Sequence, residues 1–286
     1  MTPVETPRFD LTSRNERAIP GVIWRDAPVW AVPVAVLVTL VLGLTVLSSG
    51  LGWVIAAIIG ILVGAGVAAG RTIVLRNAAP AGLTQVVGGQ PVTPSEQPRL
   101  VNLLEGLCVT SGVAEPELRI VHDRAANVAV FGGPHAGVID VTSGLVDALG
   151  RVELEGVLAE CLWRIRTSDA ELAGLVATFR AGPALRATGA TPPNGWDRRR
   201  DALAAPFDGH RHLLADQGAV SLTRYPPGLA RALERMEGIG TAVTSATWGT
   251  AHLWICPPMP GGVGDSGVDA AGFPPTGLRV DALAEL

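Results

Sequence analysis

From Pro28 to Gly70 the chain carries no charged side chain. At about 1.5 Å per helical residue, such a run is roughly twice the ~30 Å hydrocarbon core of a bilayer, so it predicts two crossings. The expected spans are about 29–47 and 53–70, joined by the turn from Ser48 to Gly52. A cleaved signal peptide fits poorly, because the apolar run is too long and the residues before it are mostly polar. Arg14, Arg17 and Arg25 flank one end of this hairpin and Arg71 and Arg76 the other, while the turn has no cation. The positive-inside bias then gives a multi-pass plasma-membrane protein with both termini in the cytoplasm. The expected division is a cytoplasmic segment 1–27, a hairpin 28–70 and a cytoplasmic domain 71–286. Trp30 and Trp53 read as interface anchors, and Gly60 with Gly64 as a small-residue pair for close packing within the hairpin, ahead of dimerisation.

The bilayer is therefore the first expected partner. Nucleic acid is not: the formal charge is −4, and the "DRRR" run at 197–200 reads as a solvated face. All 22 basic residues are arginine, which reads as a coding bias of the genome. Cys108, Cys161 and Cys256 form no CxxC pair and sit in apolar contexts, as buried free thiols of a reducing compartment would.

After the polar "NAAPAGLTQVVGGQPVTP" stretch a helix is expected from Ser95, its buried face being Leu100, Leu103, Leu104, Leu107 and Cys108. "ELRIVHD", "NVAVFGG" and "AGVIDVT" read as short strands and "SGLVDALG" as a short helix. One long helix is expected over Arg151 to Phe179, with an apolar stripe of Val157, Leu158, Cys161, Leu162 and Ile165. Glu160, Arg164 and Ser168 share its adjoining face. The Pro- and Gly-broken stretch at about 187–209 reads as an exposed loop. Helical segments resume near His210 and in "PGLARALERMEGIG", and the chain closes on a short amphipathic helix.

The order of these segments resembles the HtpX-like membrane zinc metallopeptidases, relatives of the CAAX prenyl proteases. "NVAVFGG" with "GVIDVTSGLVDAL" is similar to that family's Asn-Ala-Phe segment, edge strand and following helix. "ELEGVLAE" is similar to the lead-in of its zinc helix, and "HLLADQGAVSL" to the helix bearing its third ligand. "AHLWICPP" and "FPPTGLRVDAL" resemble its closing motifs. The resemblance implies a mainly α domain with a small β-sheet, an α+β gluzincin-like metallopeptidase domain, behind the two-helix transmembrane hairpin. It also implies a setting in membrane protein quality control.

That family's chemistry needs two His at i and i+4, an adjacent Glu as general base and a downstream Glu ligand. The resemblance places Glu160 at the first His position, Cys161 at the base, Arg164 at the second His and His212 at the downstream Glu. Ala215 and Asp216 match the Ala-Asp that follows, and Phe273 replaces a His. No residue is therefore assigned a catalytic role. No cofactor is expected; Glu160 and Arg164, an i,i+4 pair in the favourable order, are expected to form an ion pair that fills the metal's place with His212 and Asp216 nearby. The rival reading is a rearranged zinc site on Glu160, His210, His212 and Cys161, with metalloendopeptidase activity. His252 and His135 read as structural and His122 as exposed, while Trp163 either plugs the emptied cleft or packs against the hairpin or a partner. Three functions stay open: a non-catalytic binding or regulatory pseudo-peptidase acting on an unidentified protein partner, an active metallopeptidase, and a structural subunit of a membrane complex.

Overall fold

A computed structural model describes residues 11–25, 27–45, 49–189, 191–259 and 273–286. Residues 1–10 and Ser48 of the expected turn lie outside them. The chain divides into two compact units, Ile19–Ala79 and the remainder. That boundary lies nine residues beyond the expected one, because the second apolar helix does not stop at Gly70. The described residues before the first span also form a helix, α1 (Leu11–Ile23).

α2 (Ala27–Thr45) and the part of α3 (Gly50–Val87) that lies in the first unit run side by side and antiparallel. A Cβ on Gly60 would collide with Thr39 and the Ala35 carbonyl, and one on Gly64 with the Ala31 carbonyl. The two glycines are thus the positions where the backbones meet, which is the within-hairpin packing expected of them. Trp53 lies against Gly43, and the Arg71 guanidinium sits 4.4 Å from the centre of the Trp30 ring. Val29, Leu37, Leu44, Ile61 and Leu62 point outward. Apolar side chains facing out on helices long and apolar enough to cross a bilayer place this unit in a membrane.

The other unit is mostly helical around a four-stranded mixed sheet of order β1-β2-β4-β3, with β1 (Gln90–Pro91), β2 (Glu117–Val121), β3 (Val128–Phe131) and β4 (Val138–Thr142). β2 and β4 pair in parallel and the other neighbours antiparallel. β3 and β4 are buried at every position, including Asp140 and Thr142 of β4 among their Val, Ile, Ala and Phe. α4 (Pro98–Ser111) buries the five apolar residues expected of it. Thr142 ends β4 and caps α5 (Ser143–Ala148) by accepting from the Leu145 amide at 3.4 Å.

The expected long helix is two. α6 (Arg151–Arg166) stops at Thr167, Ser168 takes a left-handed φ of 57°, and α7 (Asp169–Arg180) sets off in a new direction. Ser, Thr and Asp compete with helix for backbone hydrogen bonds, and "TSD" is where this helix breaks. α6 is also not amphipathic in situ. Ala159, Glu160 and Arg164 are as buried as the apolar stripe, so it runs through the centre of the domain. The stretch 187–209 is largely exposed but not a loop throughout: it carries α8 (Trp196–Ala204), seated by the buried Trp196 and Leu203. α9 (Arg211–Thr223), α10 (Pro226–Ile239) and α11 (Thr276–Ala284) complete the fold. Gly156 lets the α10 backbone at Leu229 approach α6 closely, with about 2.9 Å from a Cβ there to the Leu229 nitrogen.

Candidate functional site

The polar centre of the domain is assembled from five segments, with α6 at the middle. α6 supplies Glu160 and Arg164, the start of α7 Asp169, α9 Arg211, His212 and Asp216, and α11 Arg279. The fifth is the chain at 252–255, fixed because the Ile255 amide donates to the Val128 carbonyl at 3.0 Å, along the free edge of β3. None of these side chains is more than 8% exposed.

Two bridged groups form. In the first, Asp169 accepts from Arg164 Nε at 2.9 Å and from Arg211 Nε and a terminal nitrogen at 3.2 and 2.7 Å. The other nitrogens of Arg164 donate to the carbonyls of Leu253 and His252 at 3.1 and 3.2 Å, and Arg211 also donates to His252 at 3.1 Å. In the second, Arg279 clamps Asp216 in a two-toothed pair at 2.8 and 2.7 Å and donates to the Ile255 carbonyl at 2.8 Å. Glu160 Oε2 lies 3.5 Å from Arg279, and neither Glu160 oxygen accepts a hydrogen bond.

The expected Glu160–Arg164 pair is not made. The break at Ser168 swings Asp169 back to Arg164, and Glu160 is left to Arg279. Asp169, Arg211 and Arg279 were not singled out from the sequence. Asp169 follows the "TS" break and Arg211 sits between the two flagged histidines, but only tertiary contact gives them roles.

Charge and burial set the protonation states. Burial alone would raise the Asp169 carboxyl, but Arg211 and then Arg164 outweigh it and hold it at about 2. Burial pushes Glu160 up, and the Arg279 cation offsets this only in part. Burial, then the neighbouring guanidinia of Arg211, Arg279 and Arg164, keep His212 neutral. Burial drives the Cys161 thiol far above its usual value, so it has no thiolate character.

His210 and His212 do not converge. His210 caps α9 in solvent with Nδ1 3.5 Å from Asp208, whereas His212 is buried against Phe273, ring centres 4.7 Å apart. Neighbours two apart on a helix face different ways. His212 Nδ1 has no hydrogen-bond partner. Among the described residues, no group of three or more His, Cys, Asp or Glu side chains is arranged to hold a metal ion. His252 is buried, its Nε2 2.9 Å from the Ala173 carbonyl, with burial and then Arg211 lowering its pKa to about 3. His122 and His135 are exposed, and the three cysteines are buried and free. Trp163 lies on α9, where a Cβ on Gly218 would overlap its indole, and its outer face carries the Arg166 guanidinium 4.6 Å from the ring centre. Gly218→Ala is therefore expected to lower stability by about 1–3 kcal/mol, read as a drop in the thermal midpoint.

A mostly helical domain with a small mixed sheet, joined to two apolar helices of bilayer length, defines a membrane protein with a buried polar centre. No family model matches the chain, and no solved structure does. It is 32% identical over 200 residues to a Protease HtpX homolog of Dictyoglomus thermophilum, across 62% of this chain and 66% of that one. It is 30% identical over 223 residues to a Protease HtpX homolog of Tropheryma whipplei, across 70% and 76%. With the Protease HtpX homolog 2 of Methanosarcina acetivorans the figures are 30% over 181 residues, 55% and 61%. The chain thus spans just under two-thirds of the Dictyoglomus relative's length and about three-quarters of the Tropheryma one. The chain belongs to the HtpX protease-homolog family.

Proposed function

We propose that this chain is a non-catalytic, membrane-anchored HtpX-family protein in which a buried arginine–carboxylate cluster stands in place of the zinc centre. On this reading the gluzincin-like domain serves membrane protein quality control by binding other proteins. Its hairpin crosses the plasma membrane twice and leaves both termini in the cytoplasm, which the arginines at both outer ends of the hairpin favour. One observation carries the proposal. The residue at the second zinc-ligand position, Arg164, is a cation bound to Asp169 and two carbonyls, and the residue at the first, Glu160, faces another cation, Arg279.

These residues do not fit a zinc ion. A divalent cation among them would lie beside three guanidinia, Arg164, Arg211 and Arg279, whose opposing carboxyls are Glu160, Asp169 and Asp216. Two of those carboxyls are already bound to arginine at hydrogen-bond distance. The base position holds a protonated, apolar-seated thiol, which cannot take a proton from water.

Elemental analysis of protein purified without chelator, with a casein digestion, tests this. The expected result is zinc far below one per chain, no digestion, and a thermal midpoint that EDTA does not move. Stoichiometric zinc or zinc-dependent cleavage overturns it.

A further inference from the structure

Beside the cluster lies a cavity of about 310 Å³, bounded by α8, the start of α9 and the 248–252 segment. That is at the lower end of the ~300–1,000 Å³ that small-molecule sites occupy. Its walls are aromatic. Trp196 and Trp248 meet edge to face with ring centres 4.9 Å apart, and Leu203 and Phe207 extend the apolar surface.

The charges on its lining are unequal in what they leave free. Arg211 is spent on Asp169, on the His252 carbonyl and on the face of Phe207, 4.2 Å from the ring centre. Asp208 faces Arg14 at 3.6 Å and accepts from the His210 amide at 2.8 Å. Among the described residues Arg200 pairs only with its chain neighbour Asp201 at 3.4 Å, with side chains 41% and 74% exposed. Such a pair is solvated and weak, so Arg200 is the lining charge available to a ligand.

We propose that this cavity is a binding site for a small aryl carboxylate: the flat apolar body lies against the wall of Trp196, Trp248 and Leu203, and the carboxylate pairs with Arg200. Aromatic walls favour a ring placed edge-on or offset over a flexible chain, and a guanidinium favours a planar carboxylate. The site is independent of whether the chain cleaves peptides, since it uses none of the residues at the zinc-ligand positions except the His212 ring at its edge.

The test uses the full chain in lipid nanodiscs, with empty nanodiscs as the blank, and ligand-observed NMR titration. The probes are 1-naphthylacetate and its neutral isostere 1-naphthylacetamide. The acid is expected to bind saturably and about tenfold more tightly than the amide, as one charge-assisted pair allows. Arg200→Gln should lower the acid's affinity about tenfold and leave the amide's unchanged. Leu203→Trp should fill the cavity and remove both. Equal affinity for acid and amide, an unaffected acid in Arg200→Gln, or no saturable binding overturns the proposal. The acid–amide comparison needs no variant, so a misfolded Leu203→Trp leaves the test intact.

Discussion

Asp169→Ala is expected to destabilise the domain by about 3–5 kcal/mol, the range for removing one partner of a buried ion pair. Asp169 answers two guanidinia at once, so its loss strands both Arg164 and Arg211 in a region where neither is more than 8% exposed. Asp169→Asn should cost less, because an amide oxygen still accepts one of the three hydrogen bonds. Chemical denaturation at neutral pH reads both; an Asp169→Ala protein within about 1 kcal/mol of the parent would mean the cluster is solvated, against the burial reported above. The same carboxyl sets a pH response. Its folded value of about 2 lies below the ordinary 3.8. A depressed acid contributes stability that is complete above the unfolded value and is lost as the pH falls through the folded one. The window is therefore about pH 4 down to about pH 2, and a shift of nearly two units corresponds to roughly 2.5 kcal/mol. Asp169→Asn should flatten that part of the stability curve.

The local signals in the sequence were good guides to elements and poor guides to partners. The uncharged run, the α4 stripe and the three strands each declare themselves within a few residues, because periodicity and residue type act locally. The end of the second apolar helix did not, since "RNAAPAGLTQVV" looks like a polar linker yet continues α3 to Val87. α8 was hidden by the Pro and Gly before it, although Trp196 and Leu203 hold it down. At the candidate site the i,i+4 spacing of Glu160 and Arg164 suggested a pair on the same helix. Such spacing decides pairing only on an exposed face. Glu160 and Arg164 are both buried, so longer-range partners with better geometry won: Asp169 after a helix break, and Arg279 from α11, 119 residues beyond Glu160. The family resemblance pointed to Glu160, Arg164, His212 and Asp216, which the fold brings into one buried polar centre. It could not name Arg211 or Arg279, which match no zinc ligand.

Arg279→Leu is the second large effect, again about 3–5 kcal/mol. Arg279 is the only cation within 4 Å of Asp216 among the described residues, and likewise of Glu160. Its removal leaves two carboxyls side by side in the interior. The two are not equivalent, and that makes the prediction specific. Asp216 receives both hydrogen bonds of the clamp, whereas Glu160 receives none and has its pKa raised by burial. A raised acid is bound more tightly by its proton in the folded state, so its contribution is worst where it must ionise. Stability attributable to Glu160 should fall as the pH rises above its ordinary 4.5. Glu160→Gln should therefore be neutral or stabilising at pH 8 and remove that decline, while Asp216→Asn should be destabilising. Combining Glu160→Gln with Arg279→Leu should recover little at pH 5, where Glu160 keeps its proton, and more at pH 8, where its ionisation is opposed. Thermal midpoints of the three single variants and the double at pH 5 and pH 8 read all of this. If Glu160→Gln proves as damaging as Arg279→Leu, then Glu160 is an ionised, fully paired member of the cluster. If it is harmless, Asp216 and Arg279 are the pair that holds α9 to α11, and Glu160 is a carboxyl the fold merely tolerates.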